Sequence, residues 1–157
     1  MRLYVVRHGE AEPQSTTDEA RALTSGGRRG VRRLWQSLKA EGIRPARIVS
    51  SPYVRAQQTA EEIAAVCGLG TEAHCPLLVP EGNPRQVLEW LLAWPETDTP
   101  LVMVSHMPLV AHLVGQLAEG PSARLPMGVG AVAALDVEVA AVSGARLLWL
   151  RAPGDLF

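Results

Sequence analysis

Short runs of apolar residues, each followed directly by polar ones, recur along the first two thirds of the chain. They lie at residues 3–6, 47–50 and 101–104, and their length and β-branched content predict buried strands. Each run is followed by a polar tip and then by a stretch with helical periodicity. The pattern is typical of strands that alternate with helices.

Helix start signals accompany these stretches. Ser51 and Asn83 are predicted N-cap residues, and the proline that follows each of them is expected at the first helical position. Apolar residues at helical spacing and the capping signals together predict four helices. They run over about residues 25–41, from Ser51 to about residue 66, from Asn83 to Pro95, and from Pro108 to about residue 117.

The last third of the chain has a different pattern. Two β-prone runs, at residues 129–139 and 145–151, flank Ser143 and Gly144 and predict a hairpin beside the sheet. The whole pattern predicts an α/β fold: a three-layer α/β/α arrangement around a mainly parallel sheet of about five to six strands. The 157 residues are expected to form one domain, residues 1–157.

Composition and charge exclude several classes of protein. The chain is 47% hydrophobic and 20% charged, as globular proteins are. With 15 Lys and Arg against 16 Asp and Glu, it has no overall positive field to bind nucleic acid or an anionic membrane. The apolar runs are shorter than the ~18 residues of a membrane span, and residues 3–6 are too short for a secretion signal, so we expect a cytoplasmic protein. Cys67 and Cys75 are expected to be reduced, and two cysteines exclude a cysteine-based zinc site.

Basic side chains follow three of the predicted strands. Arg7 and His8 follow the first, Arg55 lies one turn into the helix after the second, and His106 follows the strand at 101–104. Ligands of open α/β sheets bind at the carboxyl ends of the strands, so we expect these four residues to converge. Two guanidinium groups and two imidazoles repel metal cations and suit a phosphate dianion. We therefore expect a phosphoryl site without a metal or another cofactor.

His8 is the better candidate for a nucleophile. Its cationic neighbours would keep the imidazole neutral, with a nitrogen free to attack phosphorus. Gly9 lets the backbone leave the strand sharply. Strand alternation would send Arg7 and His8 to opposite faces, so the turn has to begin at His8. His106 would then donate to the oxygens of the phosphoryl group and stabilise the charge that develops on them.

The chain contains a set of spaced motifs: Val6-Arg7-His8-Gly9-Glu10, Leu23-Thr24 with Gly27, Ser50-Ser51-Pro52, Arg55-Ala56, Gln58-Thr59-Ala60 and Val104-Ser105-His106. In combination these motifs resemble the histidine phosphatase superfamily, and the compact length is most similar to its SixA branch of protein phosphohistidine phosphatases. The resemblance implies a phosphoglycerate mutase-like fold, His8 as the transient phosphohistidine, and a phosphate pocket formed by Arg7, Arg55 and His106.

The identity of the general acid stays open. Glu81 precedes the third helix, where broader members of the superfamily carry a catalytic carboxylate, but an acidic residue at that position also suits the helix dipole. Glu10 is the competing candidate. Gln58 and Thr59 follow Arg55 by three and four residues, so they could hold its guanidinium or face solvent.

The spacing of the motifs bears on the substrate. His106 follows Arg55 by 51 positions, too few for a large helical cap, so we expect a shallow, open site. The leading hypothesis is a phosphohistidine phosphatase whose partner is a histidine phosphotransfer protein. One alternative is a small-molecule phosphomonoesterase of the same superfamily that uses Glu81 as its acid and acts on a small phosphate ester. Another is a regulator that binds a phosphoprotein without cleaving it.

Overall fold

The computed structural model describes residues 1–70 and 74–156 and contains one five-stranded sheet. Its strands are β1 (Arg2–Arg7), β2 (Arg47–Ser50), β3 (Leu101–Ser105), β4 (Val132–Val137) and β5 (Ala145–Arg151). In the order β2-β3-β1-β4-β5, β3 pairs in parallel with both β1 and β2, whereas β4 is antiparallel to β1 and β5. The sheet is therefore mixed: the predicted C-terminal hairpin joins it through β1 and adds two antiparallel pairings to the two parallel ones.

Four α-helices connect or follow the parallel strands. They are α1 (Ser25–Ala40), α2 (Val54–Cys67), α3 (Pro84–Leu92) and α4 (Leu109–Ala118), and short 3-10 turns lie at Pro76–Leu78 and Pro153–Leu156. The predicted N-cap of α3 is confirmed, because Asn83 Oδ1 accepts from the amide of Arg85. No helix in residues 1–70 and 74–156 is long and apolar enough to cross a membrane.

Two helix starts differ from the prediction. Ser51 does not cap α2 and Pro52 lies outside it, because Tyr53 is the N-cap residue and α2 begins at Val54. The Ser51 hydroxyl instead accepts from the amide of Tyr53 at 3.2 Å, which holds the chain in a tight turn between β2 and α2. Similarly, Pro108 occupies the N-cap position of α4 and the helix begins one residue later.

Both faces of the sheet are covered, as a three-layer fold requires. Leu3 and Val5 of β1 belong to a core that includes side chains of α3 and α4, whereas Tyr4 and Val6 belong to a core that includes those of α1 and α2. The alternation of side chains along a strand explains this division. Polar residues follow the parallel strands at their carboxyl ends, so this end of the sheet is polar.

The strand register brings the sequence motifs together at that edge. Arg7 at the end of β1 is opposite Ser105 at the end of β3, so His8 and His106 follow neighbouring strands. The amide of His8 donates to the Ser105 carbonyl at 3.0 Å, and the amide of Ser51 donates to the Val104 carbonyl at 2.9 Å. The ends of β1, β2 and β3 are therefore joined by backbone hydrogen bonds directly below the candidate site.

Candidate active site

His8 occupies the turn at the end of β1. The strand ends at Arg7, as the sequence requires if Arg7 and His8 are to reach one ligand. The His8 ring is buried, and its Nδ1 lies 2.7 Å from the carbonyl oxygen of Gly9. Because a carbonyl only accepts hydrogen bonds, Nδ1 carries the proton. Nε2 is therefore unprotonated and can act as an acceptor or a nucleophile.

Arg55 extends from the first turn of α2 to His8. Its side chain is only 5% exposed, and its Nε lies 3.4 Å from His8 Nε2. Its two terminal nitrogens point at Asp18: Nη1 donates to the main-chain carbonyl at 2.7 Å and Nη2 to the carboxylate at 3.2 Å. The ring of Tyr53 lies 5.1 Å from the guanidinium carbon. Arg55 is thus a buried, oriented cation beside the unprotonated Nε2 of His8.

His106 is held on the other side of His8, with 5.1 Å between the two ring centroids. Its Nε2 lies 2.7 Å from the Ser51 hydroxyl. That hydroxyl accepts from the amide of Tyr53 and has one proton and one further lone pair, so it can bond to His106 Nε2 in either neutral tautomer of the ring. His106 Nδ1 is buried and has no hydrogen-bond partner among the described residues. In the tautomer in which Ser51 donates to Nε2, the proton lies on Nδ1, and this N–H is free to donate.

The Arg7 side chain is held by a backbone carbonyl 120 positions further along the chain. Its Nη1 donates to the carbonyl of Met127 at 2.9 Å, while its buried Nε has no partner within the described residues. Its positive charge contributes to the lowered pKa of both His8 and His106. Arg7, His8, Arg55 and His106 therefore lie together at the carboxyl end of the parallel strands.

Both histidines are neutral at neutral pH. Burial, followed by the charges of Arg55, Arg7 and Arg21, lowers the pKa of His8 to about 4, although its hydrogen bond to Gly9 opposes the shift. Burial and then the neighbouring His8 and Arg55 lower the pKa of His106 to about 3. The site thus combines an unprotonated imidazole nitrogen, a neutral N–H donor and two guanidinium groups, which suits a group with several anionic oxygens.

The two candidate acids are placed differently. Glu10 lies against the start of α1, where its carboxylate accepts from the hydroxyl of Thr24 at 2.9 Å. Glu81 is exposed and lies in a turn that follows Leu78, whose carbonyl accepts from the buried Ser105 hydroxyl at 2.7 Å. Burial, and next the charge of Glu81, raises the pKa of Tyr53, whose ring centroid lies 5.0 Å from that of His106.

The residues that hold Arg55 are not the ones suggested by sequence. Gln58 Oε1 accepts from the amide of Leu23 at 2.7 Å. Thr59 is buried, and its hydroxyl donates to the Arg55 carbonyl at 2.8 Å and accepts from the Gly9 amide at 3.0 Å. Both side chains therefore bond to backbone groups and not to the Arg55 guanidinium. Residues three and four positions after Arg55 lie close to the helix backbone, whereas the guanidinium is at the far end of a long side chain.

Asp18 takes the role suggested for Gln58 and Thr59, and the sequence did not reveal it. It lies in the polar loop before α1, 37 positions from Arg55, and no periodic pattern marks it. The one signal in the sequence is a short acidic loop directly after the Arg7-His8-Gly9 turn. Within residues 1–70 and 74–156, no three or more His, Cys, Asp or Glu side chains lie close enough together to hold a metal ion.

Comparisons with known proteins agree with this geometry. Residues 3–77 match the family model of the histidine phosphatase superfamily, branch 1. The chain is 34% identical over 122 residues to the phosphohistidine phosphatase SixA of Escherichia coli (76% of each chain) and 33% identical to its Haemophilus influenzae homolog (74% of this chain and 77% of the relative). A structure of the protein histidine phosphatase SixA complexed with tungstate superposes with a TM-score of 0.91 at 28% identity, covering 100% of both chains. The chain therefore belongs to the histidine phosphatase superfamily, to its SixA-like branch with the phosphoglycerate mutase-like fold, and it is a phosphatase.

Proposed function

We propose that this protein removes the phosphoryl group from a phosphohistidine on a protein, such as a histidine phosphotransfer domain, through a covalent phospho-His8 intermediate. The names of its two SixA relatives support the reaction. The observation that carries the proposal is the approach of Arg55 Nε to within 3.4 Å of the unprotonated Nε2 of His8. It sets an oxygen-binding cation beside the nitrogen that would attack phosphorus.

In the first step, His8 Nε2 attacks phosphorus while the P–N bond of the substrate breaks. The substrate ring, protonated on its other nitrogen, leaves as neutral imidazole. His8 keeps its Nδ1 proton, which the Gly9 carbonyl holds at 2.7 Å, and so becomes a phosphorylated imidazolium. Arg7, Arg55 and the free N–H of His106 would bind the three oxygens during transfer.

In the second step, water attacks the phosphorus of phospho-His8 and the P–Nε2 bond breaks. The products are inorganic phosphate, a proton released to solvent or to the phosphate, and neutral His8. The depressed pKa of His8 favours this step, because the phosphorylated ring reverts to an imidazole that stays unprotonated at neutral pH. No external acid is required for either leaving group, in contrast to an alkyl ester.

The surroundings of the site favour a protein substrate. Between α2 and β3, the described residues form only the short turn Pro76–Leu78, helix α3 and connecting segments, so they build no cap over His8. A small ligand requires walls that bury most of its surface, whereas a side chain presented on a folded partner does not.

Trapping the intermediate tests this proposal. A phosphotransfer protein radiolabelled on its phosphohistidine is mixed with the enzyme, and the reaction is stopped in alkali within milliseconds. We expect acid-labile label on the wild-type enzyme, the same label on His112→Ala, whose side chain is half-exposed on α4, and none on His8→Ala. Tight binding of the labelled protein without label transfer or phosphate release would instead identify a regulator.

The ester alternative makes a separate prediction for Glu81, whose charge acts on Tyr53 beside Arg55. If the enzyme were chiefly a small-molecule phosphomonoesterase, Glu81→Gln would lower alkyl phosphate hydrolysis by about 10²-fold, because general acid catalysis contributes that much. We expect Glu81→Gln to leave phosphohistidine hydrolysis within about threefold of wild type. Glu89→Gln, which removes an exposed carboxylate on α3, is the matched control.

A further inference from the structure

The loop between β1 and α1 reaches over the start of α2 and contacts Arg55 through Asp18. We propose that Asp18 is a positioning residue: it fixes the guanidinium of Arg55 so that one defined edge faces the phosphoryl group on His8. This inference rests on the proposed role of Arg55 in binding phosphate, but not on which phosphorylated substrate the enzyme uses.

A guanidinium has two edges that can bind an oxyanion. The end edge presents N–H groups of Nη1 and Nη2, and the side edge presents those of Nε and Nη2. Asp18 occupies the end edge, since its main-chain oxygen lies 2.7 Å from Nη1 and its carboxylate 3.2 Å from Nη2. The side edge is turned to His8, with Nε 3.4 Å from Nε2. A phosphoryl group next to His8 Nε2 would therefore meet the side edge of Arg55.

Asp18 is itself held in place. Its second carboxylate oxygen accepts from Arg21 Nη1 at 2.9 Å, and Arg21 Nε donates to the carbonyl of Glu12 at 2.7 Å. The next carbonyl in the chain, that of Glu19, accepts from the amide of Val54, the first residue of α2, at 2.9 Å. The loop is thus fastened to the same helix turn that carries Arg55, so Asp18 and Arg55 keep their relative position.

Charge supports this arrangement. Hydrogen bonding to Arg21, together with the positive charge of Arg55, lowers the pKa of Asp18, so its carboxylate is ionised at neutral pH. Hydrogen bonds between ions are stronger than neutral ones, which suits an anchor for a long side chain. Asp18 binds the edge of the Arg55 guanidinium that faces away from His8. It therefore orients the cation without occupying the edge proposed for phosphate.

The test compares three variants by a binding readout and a kinetic one. Asp18→Ala removes the carboxylate contact, Asp18→Asn keeps an oxygen acceptor, and Glu19→Gln removes an adjacent exposed charge. Orthovanadate serves as the phosphate analogue, and its Kd is measured by titration of folded protein at neutral pH. We expect Asp18→Ala to weaken orthovanadate binding and to lower kcat/KM for the phosphotransfer protein by tenfold to a hundredfold, the usual loss when a catalytic group is misplaced. Asp18→Asn should retain more than Asp18→Ala, and Glu19→Gln should stay within about twofold of wild type.

A double-mutant cycle separates positioning from a general role in folding. Lysine presents no second edge for Asp18 to hold, so adding Asp18→Ala to Arg55→Lys should change the orthovanadate Kd by less than about threefold. An equal loss in both backgrounds would overturn the proposal, as would tighter orthovanadate binding by Asp18→Ala, which would mean that Asp18 competes with phosphate. If the wild type binds orthovanadate but releases no phosphate from phosphohistidine, the substrate proposal fails while these affinities still decide the role of Asp18.

Discussion

His8 and His106 are buried among cations, and this environment determines the protonation that the chemistry requires. The fold excludes water from both rings and sets guanidinium groups nearby, so the pKa of each falls well below the ordinary value of 6.5, to about 4 for His8 and about 3 for His106. A neutral imidazole is the nucleophilic form. The same pKa shifts affect stability, because His8 and His106 bind protons in the unfolded chain at pH values at which they stay neutral in the folded chain.

We predict that the folded state loses stability as the pH is lowered from 7 to 5. The unfolded histidines become protonated near pH 6.5 while the folded ones stay neutral down to about pH 4 for His8 and about pH 3 for His106, so unfolding takes up protons in this window. Each histidine then contributes a slope approaching roughly 1.4 kcal/mol per pH unit. Urea unfolding at pH 7 and pH 5 measures the difference. His8→Asn should show a shallower dependence than wild type, and an identical dependence would contradict the assigned shift.

The sequence was sufficient to predict which residues come together in the candidate site but not which loop side chains contact them. Residues after the ends of parallel strands converge in any such sheet, which made Arg7, His8, Arg55 and His106 predictable. Asp18 reaches Arg55 from a loop without periodicity, and Ser51 looks like a helix cap until the turn at Tyr53 is seen. Contacts made by loop side chains depend on the tertiary path of the chain, which local patterns do not specify.

The start of α1 is packed closely against the loop that follows His8. A Cβ atom on Gly27 would lie 2.2 Å from the carbonyl oxygen of Glu10, so only glycine allows this approach. Thr24, the N-cap of α1, binds both the amide of Gly27 and the carboxylate of Glu10. This helix end therefore fixes the backbone immediately beyond the proposed nucleophile.

We predict that Gly27→Ala destabilises the protein by about 1–3 kcal/mol, since the backbone at Glu10 has to move to admit the methyl group. Gly26→Ala is the matched control on the preceding residue, where the nearest atom to an added Cβ is 3.8 Å away. Alanine is a better helix former than glycine, so the control should be as stable as wild type or slightly more so. Urea unfolding of the two variants measures the difference. Equal free energies of unfolding would show that the close approach of Gly27 to Glu10 does not require glycine.

Element bounds were predictable wherever a local signal decides them. Asn83 followed by proline starts α3, and apolar runs mark β2 and β3, because these features act within a few residues. The start of α2 moved to Val54 because Ser51 bonds to His106 and to the amide of Tyr53 instead of capping a helix. The functional site thus overrides the capping preference of this serine.

The two cores lie on opposite faces of one sheet and share its strands. Leu113 of α4 belongs to one core and Leu34 of α1 to the other, and both are almost fully buried. Each core packs against alternate side chains of β1, so loss of either removes support from the same strand. We therefore expect the chain to unfold as one cooperative unit, which would make residues 1–157 a single domain.

Leu34→Ala and Leu113→Ala test that expectation. Each should lower the free energy of unfolding by about 2–5 kcal/mol, as large-to-small substitutions in cores do. The transition followed by far-ultraviolet circular dichroism should coincide with that followed by tryptophan fluorescence in both variants. Two separate transitions, with each substitution shifting only one of them, would contradict a single domain.

In the proposed reaction, His8 of an open site takes a phosphoryl group from a protein histidine. The most direct measurement of this transfer is the rate of phosphate release from a phosphohistidine-bearing carrier protein, beside an aryl phosphate ester, by wild type and His8→Ala. We predict fast release from the carrier that depends on His8, with little hydrolysis of the ester. Undiminished release by His8→Ala, or ester hydrolysis without activity on the carrier, would contradict the proposed function.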